Sequence, residues 1–446
     1  MVALNLTDLT PDQHSAINHI YENDSTLLVA DMGAGKTVCA MTAASELLKD
    51  KQLKRILVVS TIKVARNVWA TEYNKWDQLK CLNVALALGS AADRTDAIIS
   101  DAEMVCINFE NLVWYVSEYG IHNFDGLIID EVSKLKSNGG SNFKALRKII
   151  KKFKWRLTMT GTPVSEDWTG LFGEMLMTDG GASLGRNKTK FLEAHFYPTD
   201  YERRNWALIP EQDSAILKKI GSILYHLPDY RHLLPKLIET NVDVPMSAHT
   251  EIMYKAFKRD CILKLNDSEI AAPNAAALTG KLQQIAQGFM YGEDGITHKL
   301  ETHKLGVLKE LPSIKNKIPT IIVYWFKQDL DYLKSAFPEA VMLENSLNID
   351  AWNAGTIDIL LLQPRSAGHG LNLAQGGSNM VFYSQLWSND LHKQTIARLW
   401  RRGQLHRVNV THLMLENSID YIIGARISDK SKYQKLLIKH LTASKL

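Results

Sequence analysis

Cysteine is scarce: the 446 residues hold four, Cys39, Cys81, Cys106 and Cys261, and no two form a C-x-x-C pair. That usage signals neither a zinc site nor a disulfide framework. It fits a reduced, intracellular compartment, here expected to be cytoplasmic. No apolar run approaches the ~20 residues that span a bilayer. The N-terminal stretch MVALNLTDLTPDQ lacks a basic region followed by a long apolar run, so no secretory signal is expected. A soluble protein without a membrane partner is expected. Low-complexity runs and solenoid repeats are also missing.

What remains is ordinary globular composition, with 46 % apolar and 22 % charged residues. A disordered chain is excluded, and the length predicts two or three domains at roughly 100–200 residues each. The net charge of +4 is too small to argue for a polyanion by itself. Its distribution says more: residues 391–446 hold eleven Lys/Arg against three Asp/Glu. A basic tail of that kind suits nucleic acid, or is a solvated helix face.

Short Val/Ile/Leu-rich runs alternate with helical patterns over the first 165 residues. The expected strands are Leu27–Ala30, Ile56–Ser60, Val84–Leu88, Met104–Ile107, Leu127–Asp130 and Leu157–Thr160. Such runs read as a parallel sheet covered on both faces. A second set follows: Thr320–Tyr324, Val341–Leu343, Ile357–Leu362, Met380–Tyr383 and Val408–Leu413. Between the sets strand signals fade, and Ser214–Tyr225 and Ala276–Gln287 look helical. The fold class is therefore α/β, with two parallel-sheet lobes. The expected division is 1–180, 181–300 for helical insertions and the connection, and 301–446 with a basic C-terminal helix.

The first strand runs into Ala30-Asp31-Met32-Gly33-Ala34-Gly35-Lys36-Thr37 and then a helical pattern. Strand, glycine-rich loop and helix are the context a phosphate loop requires. Gly33 and Gly35 let backbone N–H groups of the Met32–Gly35 stretch approach phosphate oxygens. The helix N-terminus adds partial positive charge. Lys36 supplies a point charge to the β- and γ-phosphates, and Thr37 a hydroxyl to Mg²⁺. Ala30 stands where the strict pattern has glycine. The plain alternative is a glycine-rich βα turn. Some 90 residues on, the run Gly126–Ile129 ends in Asp130-Glu131, at the carboxyl end of a strand where α/β sheets bind ligands. Asp130 suits Mg²⁺ and Glu131 the attacking water. Alone, such a pair often caps the next helix.

With these blocks in order, nearly the whole chain resembles the Swi/Snf-type DNA translocases of helicase superfamily 2. ADMGAGKT resembles motif I. Arg55–Trp76, with Trp69, Glu72 and Trp76, resembles motif Ia. Asp130–Ser137, DEVSKLKS, resembles motif II, and Leu157–Pro163, LTMTGTP, motif III. Leu234-Pro235-Lys236 resembles the Leu-Pro-x-Lys element before the second lobe. Ile321–Phe326 with Asp331 and Leu333 resembles motif IV. Pro364–Leu373, PRSAGHGLNL, resembles motif V, and Gln394–Gln404, QTIARLWRRGQ, motif VI. Asn417–Tyr421 stands where the family has Gly-Thr-Ile-Glu-Glu.

The resemblance implies two RecA-like lobes that close on ATP and Mg²⁺. Gln13 matches a glutamine that reads adenine; otherwise it is a polar residue at a helix start. Gly370 of motif V joins the ATP site. Arg398 and Arg401, three apart on one helix face, match arginines that neutralise charge on the γ-phosphate, or else contact DNA phosphates. Backbone contacts to DNA fall to Ser60, Thr61 and Lys63 at motif Ia, Asn108 and Phe109 at motif Ib, and Arg365 with Ser366 at motif V. Trp69 and Trp76, seven apart on a helical pattern, are expected in a core. Trp387 is expected to touch DNA or the other lobe.

The chain departs from the family pattern in places. Ser133 replaces the motif II histidine, and its hydroxyl can still reach motif III or VI. Ala367 and His369 alter motif V, and Trp400 replaces a usual histidine. With short insertions and no appended module, the pattern argues against a nucleosome remodeller and for a compact phage or bacterial motor. The expected activity is ATP-dependent translocation on duplex or branched DNA by a monomer. Single-stranded DNA is a further candidate partner, and the alternatives are a 3′-to-5′ strand-separating helicase, an RNA polymerase-recycling motor, and a non-catalytic ATP-gated DNA-binding module.

Overall fold

The computed structural model describes residues 4–428 apart from 32, 136, 138, 162–167, 229, 267–271, 293–295 and 366–370. The chain divides into two compact units, Met1–His232 and Leu233–Leu446.

In the first unit the strands are β1 (Ser25–Val29), β2 (Ile56–Ser60), β3 (Val84–Ala87), β4 (Met104–Asn108), β5 (Gly126–Asp130), β6 (Trp155–Thr160), the hairpin β7 (Phe196–Pro198) with β8 (Trp206–Leu208), and β9 (Leu224–His226). Seven of them form one parallel sheet in the order β3-β4-β2-β5-β6-β1-β9. β2 and β4 are buried along their whole length. A parallel strand needs this, because helices cover both faces and water reaches neither. Helix Lys36–Lys49 buries Val38, Cys39, Ala40, Met41 and Leu47. Helix Ser141–Ile149 buries Phe143, Ala145, Leu146 and Ile149 and turns its basic residues outward. Thr10 and Gln13 close a capping box at the start of helix Pro11–Glu22, as do Ser90 and Asp93 for Ala91–Ile99.

The second unit is built from β10 (Leu237–Val244), the hairpin β11 (Phe289–Tyr291) with β12 (Thr297–Lys299), β13 (Thr320–Val323), β14 (Val341–Met342), β15 (Ile359–Leu362), β16 (Asn379–Phe382) and β17 (Val408–Leu415). Its parallel sheet runs β10-β17-β16-β13-β15-β14. Side chains alternate between two cores, as period 2 demands. Ile321, Val323, Leu360 and Leu362 face one, and Ile322, Leu361 and Val381 the other. Lys304 and Asp420, 2.6 Å apart and almost fully buried, form an ion pair inside this unit.

All eleven expected strands form, with ends displaced by no more than two residues. The stretch 181–300, expected as helical insertions, is shared between the units and holds strands. β9 joins the first sheet and β10 the second. Ser214–Tyr225 is helical only through Ile220, and Leu224 and Tyr225 belong to β9. β9 has only three residues, and β10 is an edge strand whose LIETNVDV sequence is largely exposed, so neither carries an apolar run. The expected basic C-terminal helix lies mostly outside the described residues, of which the last helix is Asp420–Ser428. No helix among the described residues is long and apolar enough to cross a membrane.

Candidate active site

The order β5-β6-β1 places the two sequence-marked loops two strands apart on the same sheet end. At about 4.8 Å between strands, their carboxyl ends lie about 10 Å apart. β1 runs into the phosphate loop, where Gly33 has φ 80° and Gly35 φ 88°. Gly35 caps helix Lys36–Lys49, and a Cβ there would lie 2.3 Å from Gln13 Nε2. Conformation and space both demand glycine. Lys36 opens the helix and donates from Nζ to Ala30 O at 2.7 Å and Asp31 O at 3.1 Å, so its ammonium already sits in the loop. Thr37 follows in the same first turn. Met32 lies outside the described residues.

Gln13 is buried, and both ends of its amide are engaged. Nε2 donates to Ala34 O at 2.9 Å, and Oε1 accepts from Thr10 N at 2.9 Å. The side chain thus ties the start of its own helix to the phosphate loop. Arg231, at the end of the unit, pairs with Asp31 at 3.1 Å.

At the end of β5, Asp130 accepts from the Trp69 indole at 2.9 Å. Burial raises its pKa to about 6, against the pull of the Trp69 hydrogen bond and the nearby Lys36 charge, while Glu131 adds to the rise. Trp69 closes the π-helical turn Ala65–Trp69 and is fully buried. Sequence reading expected it in the core, where it does lie, but missed its grip on the carboxylate.

Glu131 has φ 73°, in a region that side-chain-bearing residues seldom occupy. Ser133 Oγ donates to Glu131 Oε1, and Thr160 Oγ1 donates to the same oxygen at 3.4 Å. Ser133 therefore meets motif III through the glutamate they share. Thr160 ends β6, and its carbonyl accepts from Ala30 N at 3.1 Å. One residue on the middle strand thus touches both the phosphate loop and the acidic pair.

In the second unit, Arg398 and Arg401 follow helix Asn389–Ile396 rather than lying on it. They sit in successive turns closed by Arg398 N to Thr395 O at 3.3 Å and Gln404 N to Arg401 O at 3.1 Å. The expectation of a shared helix face is corrected accordingly: the helix ends at Ile396. Both guanidinium groups lean on the motif V segment, Arg398 Nη2 on Pro364 O at 3.3 Å and Arg401 Nη1 on Leu371 O at 3.0 Å. Burial lowers the Arg398 pKa to about 10, which leaves it cationic at neutral pH. Gly370 and Ser366 lie outside the described residues.

Trp400 donates from its indole to Pro235 O at 2.7 Å. The residue that replaces a usual histidine thus fastens the arginine turn to the Leu-Pro-x-Lys element. Trp387 donates to Gln283 Oε1 at 2.7 Å and packs against the core formed by Tyr254, Leu282 and Ile419.

The expected DNA contacts divide by exposure. Ser60 and Asn108 pair in register at the ends of β2 and β4, and both side chains are buried, as is Phe109. The Asn108 amide is engaged by Glu110 and Asn111 at 2.6 Å each. Lys63 is exposed and Thr61 half-exposed. Exposed Arg365 stacks its guanidinium 4.6 Å from the Trp325 ring centre, which holds a charge ready at the surface.

A parallel sheet with a glycine-bent phosphate loop after one strand, and an acidic pair ending the strand two places away, defines a P-loop nucleoside triphosphatase. A family model described as SNF2-related domain matches residues 13–288, and the chain belongs to that family of DNA-dependent ATPases within helicase superfamily 2. Protein p41 of Acyrthosiphon pisum secondary endosymbiont phage 1 is 31 % identical, over 96 % of this chain and 97 % of its own length. The ISWI chromatin-remodeling complex ATPase ISW2 of Saccharomyces cerevisiae is 24 % identical over 96 % of this chain and 40 % of its own. The DNA repair and recombination protein RAD54 of Oryza sativa subsp. japonica is 23 % identical over 96 % and 51 %. The chain thus spans about half, or less, of these two longer relatives.

Proposed function

We propose that this chain is an ATP-driven motor that translocates on double-stranded DNA and remodels forks, branches or protein–DNA complexes in replication, recombination or repair. The observation that carries the hydrolytic half is the meeting of Lys36, Asp130 and Glu131 at one sheet end, joined through Thr160. DNA as the track is supported by a relative named as a DNA repair and recombination protein. Exposed Lys63 and the stacked Arg365 add side chains suited to phosphate contact.

In this reading the N–H groups of residues 33–35, left without a Cβ at both glycines, cradle the phosphates with Lys36. Thr37 and Asp130 hold Mg²⁺, which supplies charge neutralisation when bound. Glu131 takes the proton of the attacking water, its carboxylate oriented by the Ser133 and Thr160 hydroxyls. Trp69 fixes Asp130, and Gln13 fixes the loop backbone at Ala34. Arg398 and Arg401 are assigned to transition-state charge on the strength of their motif match, and the chain is assigned as a monomer.

The test compares ATP hydrolysis alone and with single-stranded DNA, duplex DNA and RNA. Duplex stimulation is expected, and stimulation by RNA alone removes the DNA assignment. Displacement of a third strand from a triplex without unwinding of a forked duplex is expected of a translocase. Unwinding of the fork would instead favour a strand-separating helicase.

A further inference from the structure

We propose that Glu239, His392 and His412 form a binding site for a borderline divalent cation of the Zn²⁺ class, which pins helix Asn389–Ile396 to the strand pair β10–β17. Among the described residues, they are the one group of three such side chains whose ligand atoms all lie within 4.8 Å of one another. His412 Nε2 lies 3.3 Å and His392 Nε2 3.7 Å from Glu239 Oε2. Zinc bonds of about 2.0–2.1 Å at tetrahedral angles set ligands about 3.3–3.4 Å apart, so two edges are near the required length already.

The positions follow from the sheet. His412 pairs with Asn241, two residues from Glu239, so both side chains stand on one face of adjacent strands. His392 descends from the helix that covers this face. Phe382, on the next strand, lies 4.8 Å from both imidazole rings and fills the space beside them.

The hydrogen bonds prepare the ligand atoms. Gln385 donates from Nε2 to Phe382 O and Leu413 O, which fixes its amide, so Oε1 faces His412 Nδ1 at 3.1 Å. That contact keeps the proton on Nδ1 and leaves Nε2 facing the Glu239 carboxylate. A carbonyl-type acceptor behind a histidine is the usual support of a metal ligand. His392 is 3 % exposed, and its Nε2 has no hydrogen-bond partner, though it points into the same cluster. Glu239, with 43 % of its side chain exposed, opens the site to solvent for entry and for a water as fourth ligand. Two imidazoles and one carboxylate suit Zn²⁺ and its neighbours and not Mg²⁺ or Ca²⁺, which take oxygen ligands.

The helix carrying His392 leads directly into the turn of Arg398 and Arg401, and β10 follows the Leu-Pro-x-Lys element that Trp400 grips. A cation here therefore fastens the arginine turn at its root.

The test titrates Zn²⁺ into the untagged, chelator-stripped full chain in competition with a chromogenic chelator. One equivalent is expected to bind. His392→Gln and His412→Gln are each expected to weaken it by about 100-fold or more, and Gln385→Leu, which keeps all three ligands, by about 10–100-fold. Co²⁺ in place of Zn²⁺ is expected to give visible bands of a four-coordinate ion. Should the histidine variants fail to fold, Glu239→Gln, at a half-exposed position, is expected to show the same loss and to bleach the Co²⁺ bands. Binding of no equivalent, or an equal affinity and spectrum in Glu239→Gln, overturns the proposal.

Discussion

In the first unit, strands β1, β6 and β5 end in a glycine-bent loop, a threonine and two carboxylates. In the second, β15 runs towards Pro364 and Arg365, β16 into Ser384 and Gln385, and the cations sit in a turn beyond a helix. Both sheets are parallel, and their inner strands are buried on both faces and made of the same Val/Ile/Leu runs. Their chemistry differs because a parallel sheet places all its strand ends on one rim, and the few residues past each end decide what that rim can do. The first unit sets Lys36, Asp130 and Glu131 at the rim, although it also buries Glu174 and Asp179. The second buries charge, with the Lys304–Asp420 pair and the Asp329 carboxylate inside it and His392 and His412 under a helix.

Substitutions at the first rim should therefore cost turnover, and those inside the second unit should cost stability. The largest effect is expected at Glu131. Glu131→Gln should lower hydrolysis by about 10²–10⁴-fold with nucleotide binding retained, and Lys36→Ala should abolish turnover as well. Single-turnover hydrolysis with a parallel nucleotide-binding assay checks both, and normal hydrolysis by either variant removes that residue from the site.

Next in size is the buried pair. Lys304→Met alone leaves Asp420 buried without its cation and should cost about 3–5 kcal/mol, whereas Lys304→Met with Asp420→Leu should cost far less. Chemical denaturation of the single and double variants measures the coupling, and additive costs would show that the pair is not a unit.

Asp329 should give a pH signature. It is fully buried, with Oδ2 accepting from Trp325 N, Phe326 N and Ser384 Oγ, while Oδ1 has no partner. Burial raises its pKa from 3.8 to about 6, which the three hydrogen bonds and Lys304 only partly offset. The fold thus favours the protonated acid. This contribution, about 3 kcal/mol at 1.36 kcal/mol per pKa unit, is full below about pH 4 and lost as pH rises through about 6. Asp329→Asn should flatten that fall in stability between pH 4 and 6, and an unchanged pH profile of thermal unfolding would refute the assignment.

The smallest effect is expected at Trp400. Trp400→Phe trades the indole for a smaller ring and removes the donor to Pro235 O; the lost hydrogen bond accounts for about 1 kcal/mol. A wild-type denaturation midpoint in that variant would show the clasp to be idle.

The strands were legible because each is a short apolar run, most of them buried on both faces, and the loop and acidic pair because they follow such runs directly. Contacts between distant positions left no local mark. Trp69 reaches Asp130 across 61 residues of sequence, and Glu239 meets His412 across 173. The low cysteine content spoke against zinc, yet nothing local shows that two histidines and a glutamate converge.

By itself the sequence determined the α/β class, the order of the motifs and the place of Lys36 after β1 and of Asp130 and Glu131 at the end of β5. Periodicity and turn chemistry act over neighbouring residues, so those features can be read along the chain. Only tertiary structure decided that the Gln13 amide braces the loop, that Thr160 touches both halves of the first rim, and that the arginines lie beyond their helix. Those depend on which strands become neighbours, and strand order is set by the packing of the whole sheet.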